Sequence, residues 1–193
     1  TGREPLSPSL KDEPYWNGFV TLLAWARGNT YSTIWSCLAA HAAVFYQDNI
    51  ERVRNDQKYF GIFDCKRVSH HRLTERIPTY FRFPHSRWNG LPERQLAANG
   101  YRVLSRASGA GVDTFVQEHN SLFVFFQGHP EYDPNTPLLE YRRDIGRFLR
   151  CELPTYPVMP QDYFDSDSAA SLAELQEKAR EYPQARFLAE VSA

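Results

Sequence analysis

At 193 residues, with 42% hydrophobic and 23% charged, the chain is long enough to bury one sizeable α/β core and too apolar for general disorder. A formal net charge of −1 offers no basic field for nucleic acid, and no apolar run approaches the roughly 20 residues that cross a bilayer. Three cysteines (Cys37, Cys65, Cys151), an odd number at irregular spacing, argue against a disulfide framework and, with no signal peptide, for a reducing, cytoplasmic compartment.

Thr1-Gly2 reads like a strand end entering a loop, as at the start of a fragment, and the proline-containing, charged stretch up to Pro14 reads as a loop lying over a site. Tyr15 to Arg27 places Trp16, Phe19, Leu22, Leu23 and Trp25 at near-helical spacing, with Gly28-Asn29 as the stop. In Ser32 to Val44 a β-branched and aromatic run, Thr33-Ile34-Trp35, passes at Ser36-Cys37 into alanine-rich sequence that ends near Asp48-Asn49. The pattern predicts a buried strand, a tight turn and a helix, with Cys37 at the elbow.

Residues 59–68 and 79–83 are aromatic and β-branched, which predicts two strands with a polar connection, the second ended by the proline of PHSRW at 84–88. Tyr101 to Ser105 is a further strand, GAGV at 109–112 a turn, and Thr114–Glu118 with Ser121–Gln127 a hairpin or two sequential strands around His119-Asn120. The run LFVFF within the last of these is apolar throughout and reads as central. Pro137 to Arg150 has a helical apolar stripe, proline interrupts the chain three times between Leu153 and Pro160, and Ser168 to Arg180 is a final helix, acidic early and basic late.

Cys37 is the residue with the most chemical promise. At a strand-to-helix turn its side chain projects above the sheet, and the first N–H groups of the helix favour a thiolate and a developing oxyanion. A small core cysteine is the competing reading. His129 follows the apolar strand and precedes a proline, and Glu131 would point the same way if that segment is extended. Together they offer a nucleophile, a base and an orienting acid. His70, His71, Cys65 and His85 lack zinc-binding spacing, so no metal is expected, and no GxGxxG or P-loop is present. Arg87 and Arg143 carry guanidinium forks suited to a carboxylate, although a surface ion pair is the ordinary reading for each, and Lys58 invites the same caution.

SCLAAHA at 36–42, KYFGIF at 58–63, PHSRW at 84–88 and GHPEYD at 128–133, with Thr136 and EYRRD at 140–144, together resemble the homoserine O-succinyltransferase family of methionine biosynthesis, which also contains homoserine O-acetyltransferases. The resemblance runs from residue 1 to about Asp167. It implies an α/β fold with an open, flavodoxin-like sheet flanked by helices, like class I glutamine amidotransferases, here lacking its N-terminal portion. A catalytic domain over 1–167 and a helical tail over 168–193 follow from it. It also implies that an acyl-CoA acylates Cys37, that His129 is the general base oriented by Glu131, and that homoserine hydroxyl takes the acyl group. Lys58, Ser86 and Arg143 match substrate-site residues, with Arg143 on the homoserine carboxylate. The Leu38 N–H matches one oxyanion donor, with a second from the loop near Gly2.

The chain departs from the family pattern at Leu38 and His41, where tryptophan and glutamine are usual, so the pocket wall is expected to differ. The position linked to acyl choice falls on Leu6 or Ser7, neither of which is the glutamate tied to acetyl use, and this favours succinyl. The expected partners are succinyl-CoA or acetyl-CoA and L-homoserine, with acyl-CoA as substrate and no cofactor. A homodimer is admitted, and neither nucleic acid nor membrane is expected. A cysteine amidase or hydrolase on the same fold, and a non-enzymatic interaction domain, are the alternatives.

Overall fold

The structure is a computed structural model that describes residue 5 and residues 7–181. These form two compact units: one contains the chain up to Tyr59 together with Phe63–Pro130, the other Phe60–Ile62 with the chain from Glu131 onward.

The first unit holds helices α1 (Trp16–Asn29), α2 (Leu38–Asp48) and α3 (Glu93–Ala98). The strands are β1 (Ser32–Ser36), β2 (Val53–Arg67), β3 (Tyr80–Gly90), β4 (Arg102–Ala107), β5 (Gly111–Glu118) and β6 (Leu122–Phe126). They lie in the order β1-β6-β5-β4-β2-β3. β1 runs parallel to β6, from Ser32 opposite Leu122 to Ser36 opposite Phe126, whereas β6–β5, β5–β4 and β4–β2 are antiparallel. The predicted α/β sheet is therefore present as a mixed sheet, and β5 and β6 are a hairpin. LFVFF is central, as its continuous apolar character predicts for a strand flanked on both edges.

Two expectations are corrected by position in the sheet. β1 is not buried along its length: Ile34 is 64% exposed and only Trp35 and Ser36 are covered, because β1 is a terminal strand. Pro84 does not end the second strand; β3 continues through it to Gly90. β3 is the other terminal strand, where a missing N–H leaves no ladder bond broken.

Aromatic side chains fill the core of this unit. Trp35 meets Phe19 and Phe123 edge-on at 5.4 and 5.5 Å, and Phe115 stacks on Phe125 at 4.8 Å. Each such ring contributes about 1.5–3 kcal/mol by leaving water. These contacts fix α1 and the strand β1 that leads into the elbow.

The second unit contains α4 (Thr136–Leu149), which opens with Pro137 in its first turn, and α5 (Ser166–Glu181). Its core is Phe60, Tyr141, Ile145, Leu149 and Ala179. Of the expected helical tail over 168–193, the stretch up to Glu181 belongs to α5 and residues 182–193 lie outside the described residues. Gly61 forms a parallel bridge to Gln161 with φ of 128°, and a Cβ there would stand 2.3 Å from the Gln161 backbone N and O. Gly61→Ala therefore adds both dihedral strain and backbone overlap, and should cost about 2–4 kcal/mol. Urea unfolding of the variant checks this; an unchanged midpoint would refute the close approach. Among the described residues no helix is long and apolar enough to cross a membrane.

Candidate active site

The elbow takes the form its sequence predicts. Cys37 is the residue before α2 and has φ 49° and ψ −117°, a conformation that a side chain bearing Cβ rarely adopts. Its backbone N–H donates to the Phe126 carbonyl at 2.8 Å, which fastens the turn to the end of the central strand. Leu38 is the first residue of α2, so its N–H is a first-turn donor with no intrahelical acceptor. This is the geometry required of an oxyanion donor next to a nucleophile.

β3 supplies the opposite wall. The Cys37 thiol faces the Ser86 carbonyl oxygen at 3.9 Å, and His129 Nε2 lies 3.4 Å from the same oxygen. The His129 backbone N–H donates to the Pro84 carbonyl at 2.9 Å. Alternate carbonyls of one strand thus hold the histidine by its backbone and face its ring. Gly128 permits the approach: a Cβ there would be 2.6 Å from the Pro84 oxygen and 2.8 Å from the Phe83 ring. Gly128→Ala should push β3 away from His129 and slow any reaction that uses this histidine by about 10²-fold, the cost of a misplacement near 1 Å. Steady-state kinetics on the folded variant reads this directly; wild-type turnover would show that the contact does not matter.

Cys37, Ser86 and His129 are therefore brought together, with Lys58 half-buried on β2, the strand next to β3. Glu131 and Arg143 belong to the second unit. Glu131 is exposed in a turn rather than an extended segment, because β6 stops at Phe126, so strand alternation does not set its direction. Arg143 bonds its neighbouring carboxylates on α4, Asp144 at 2.8 Å and Glu140 at 3.5 Å. Gly2 and Leu6 lie outside the described residues, and the Ser7 N–H donates to the Glu13 carboxylate at 2.7 Å.

The two departures from the family pattern are buried. Leu38 packs with Leu10 and Ala42. His41 Nε2 bonds Gln127 Oε1 at 3.1 Å, an oxygen that also accepts from the Leu91 N–H at 2.9 Å. With that oxygen acting as acceptor, His41 is the donor. Burial, reinforced by the charge of Arg87, pushes its pKa down to about 3.

Sequence reasoning missed a buried polar array behind β3. His85 and Arg87 alternate with Ser86 and so point to its other face. Arg87, read from sequence as a carboxylate ligand or surface ion pair, is buried. Its guanidinium donates to the Asn89 carbonyl at 2.7 Å, the Ala110 carbonyl at 2.5 Å and His85 Nδ1 at 3.3 Å, and it lies over the Tyr59 ring. Burial pushes its pKa down to about 10, against the pull of negative charge at Cys37 and Asp113. On the other side His85 Nε2 is 3.2 Å from Asp113 Oδ1, off the line of a well-aligned hydrogen bond, with both side chains fully buried. Asp113 Oδ2 accepts from Ser105 and Thr114 at 2.7 and 2.9 Å. The only signal in the sequence was strand alternation through PHSRW; Asp113 and Ala110 reach it through sheet topology.

Cys65 Sγ, His85 Nε2 and Asp113 Oδ1 all lie within 4.8 Å of one another. Arg87 donates to His85 Nδ1, however, so the proton of the neutral ring sits on Nε2, where an ion would need a lone pair. Burial also pushes the Cys65 thiol up, keeping its proton. The donor set is arranged around protons.

Comparison with known proteins places most of the chain in one family. A family model described as homoserine O-succinyltransferase matches residues 1–181. A homoserine O-succinyltransferase of Rhodopseudomonas palustris is 53% identical over 86% of this chain and 50% of its own length. One from Methylorubrum extorquens is 47% identical over 94% of the chain and 55% of its own. The chain spans about half the length of these curated relatives. Among solved structures, a glutamine amidotransferase of Thermotoga maritima matches 85% of the chain and 67% of its own at TM-score 0.55 and 10% identity. Another, from Methylobacillus flagellatus, matches 89% and 68% at TM-score 0.57 and 15% identity. These two are fold likenesses, in agreement with the expected amidotransferase-like architecture. The chain belongs to the homoserine O-succinyltransferase family.

Proposed function

We propose that this chain carries the acyl-transfer centre of an enzyme that moves succinyl from succinyl-CoA to the hydroxyl of L-homoserine. The observation that carries the reading is the strained elbow at Cys37, facing the same carbonyl as His129. In the first half-reaction His129 takes the thiol proton, the sulfur attacks the acyl carbonyl, and the bond to the CoA sulfur breaks as the proton passes to it. In the second, the homoserine hydroxyl gives its proton to His129 and attacks the Cys37 thioester, whose carbon–sulfur bond breaks as the proton passes from His129 back to the Cys37 sulfur. Helix N–H groups beginning with Leu38 stabilise both tetrahedral oxyanions. Glu131 orients the imidazole, Arg143 holds the amino-acid carboxylate, and Lys58 with Ser86 positions substrate. The family match supports succinyl over acetyl as donor.

Mass spectrometry of the protein mixed with succinyl-CoA, and separately with acetyl-CoA, before homoserine is added tests the reading. One succinyl group gained on Cys37 and lost on adding homoserine is the expected result. An acetyl group instead would reassign the donor, loss of the adduct to water alone would favour a hydrolase, and no adduct from either would sink the thioester route.

A further inference from the structure

The Ser86 carbonyl stands where the transferable proton has to be, whichever group holds it. On sulfur, the proton of Cys37 points at this oxygen; on nitrogen, that of His129 Nε2 points at it too. One fixed acceptor therefore serves both states, so moving the proton from thiol to imidazole does not abandon a hydrogen bond. It also favours the protonated imidazole, because an N–H⁺ donor makes a stronger bond to a carbonyl than a thiol does. The position of this oxygen is not secured by the sheet alone, since β3 has a neighbouring strand on one side only.

We infer that Arg87 and His85, anchored by Asp113, are positioning residues that hold the Ser86 carbonyl between Cys37 and His129. Arg87 clamps β3 through the Asn89 carbonyl on its own strand and the Ala110 carbonyl before β5. His85 lies between Arg87 Nε and Asp113, with the Phe63 and Phe83 rings edge-on at 5.2 and 6.2 Å. Asp113 is held in turn by Ser105 on β4 and Thr114 on β5. The array thus ties a terminal strand to two interior ones on the face opposite the site. Charged groups within reach of Cys37 include Arg87 on β3 and Arg52 before β2, with the titratable His129 after β6; Asp113, Cys65, Arg87 and His129 are among the groups that face His85. This inference rests on Cys37 and His129 being nucleophile and base, but not on the identity of the acyl donor.

Its test is the pH–rate profile of Cys37 alkylation by iodoacetamide, resolved by peptide mass spectrometry, with exposed Cys151 as internal reference. Arg87→Lys keeps the charge and loses the fork. The expected result is alkylation of Cys37 about tenfold slower at pH 7, with its profile displaced to higher pH and Cys151 unchanged. A wild-type profile in Arg87→Lys, with a displaced one in Arg87→Gln, would make Arg87 a charge supplier and overturn the positioning role. A uniform slowing with no displacement would reduce it to a scaffold role, and also overturn it. If Arg87→Lys does not fold, His85→Phe deletes both nitrogen contacts, keeps an aromatic ring against Phe63 and Phe83 and introduces no charge, and the same displacement is expected. A wild-type Cys37 no more reactive than Cys151 would instead count against the proposed function, so the two failures are distinguishable.

Discussion

Cys37→Gly is expected to abolish the proposed acyl transfer and, at the same time, to make the protein more stable. Removing the proposed nucleophile should lower turnover by at least about 10⁴-fold, the scale on which loss of a covalent catalyst is felt. The gain in stability comes from the backbone. At φ 49° and ψ −117° the Cβ of Cys37 is held in a region that costs about 1–3 kcal/mol for any residue other than glycine. Glycine removes that cost and gives back about 0.5–1 kcal/mol in unfolded-chain entropy, leaving a net gain near 1 kcal/mol. For a chain of this size that raises the unfolding temperature by about 2–4 °C. Cys37→Ala separates the two effects: it keeps the Cβ, so it should be as inactive as the glycine variant and no more stable than wild type. Calorimetry on the three proteins is the measurement. If Gly and Ala melt together, no strain is stored at the elbow.

Acid should destabilise this protein well above the range where carboxylates titrate, and His41 should be one cause. Burial beside Gln127 holds its folded pKa near 3, below the ordinary 6.5 of the unfolded chain. Between those values the unfolded chain binds a proton that the folded one refuses. Stability is therefore fully present above pH 6.5 and lost as pH falls toward 3, at about 1.4 kcal/mol per unit. From pH 6.5 to 5 the loss from this group is about 2 kcal/mol. His85, also lowered by burial, adds in the same direction. His41→Gln keeps an N–H for Gln127 and cannot titrate, so its stability should decline less than wild type's by about 2 kcal/mol over that window. Urea unfolding of both proteins at pH 6.5 and pH 5 gives the comparison; equal declines would mean His41 is protonated in the folded state.

The elbow was legible in the sequence because both of its halves are local: β-branched and aromatic residues up to Trp35, alanines after Cys37. Strain at Cys37 was not, since nothing in the residue type announces a positive φ. The hairpin around His119-Asn120 and the helix from Thr136 were readable for the same reason, turn chemistry in one case and a 3.6-residue stripe in the other. Errors arose where the answer depended on neighbours. Pro84 looked like a terminator until β3 proved to be a terminal strand, and Ile34 looked buried until β1 proved to be the other one. Arg87 illustrates the limit most fully. Its charge suggested a ligand for a carboxylate, yet its acceptors are backbone oxygens, and two of its associates, Ala110 and Asp113, arrive from another strand's beginning. His41 was noticed as a departure, but only its burial reveals that it is neutral.

Phe60–Ile62 has a consequence for how this chain can be divided. The three residues sit in the middle of β2 yet belong with the chain from Glu131 onward, where Phe60 is a buried member of the α4–α5 core and Gly61 bridges Gln161. No single cut releases either unit intact. Truncation after Pro130 leaves Phe60 without the core residues it packs with, and the remainder expressed alone lacks the Phe60 ring and the strand partner of Gln161. The two units are consequently neither interchangeable modules nor separable tools: recombination, tagging or complementation that breaks the chain after Pro130 parts Phe60–Ile62 from the core they belong to, and libraries that vary α4 must carry β2 along with it.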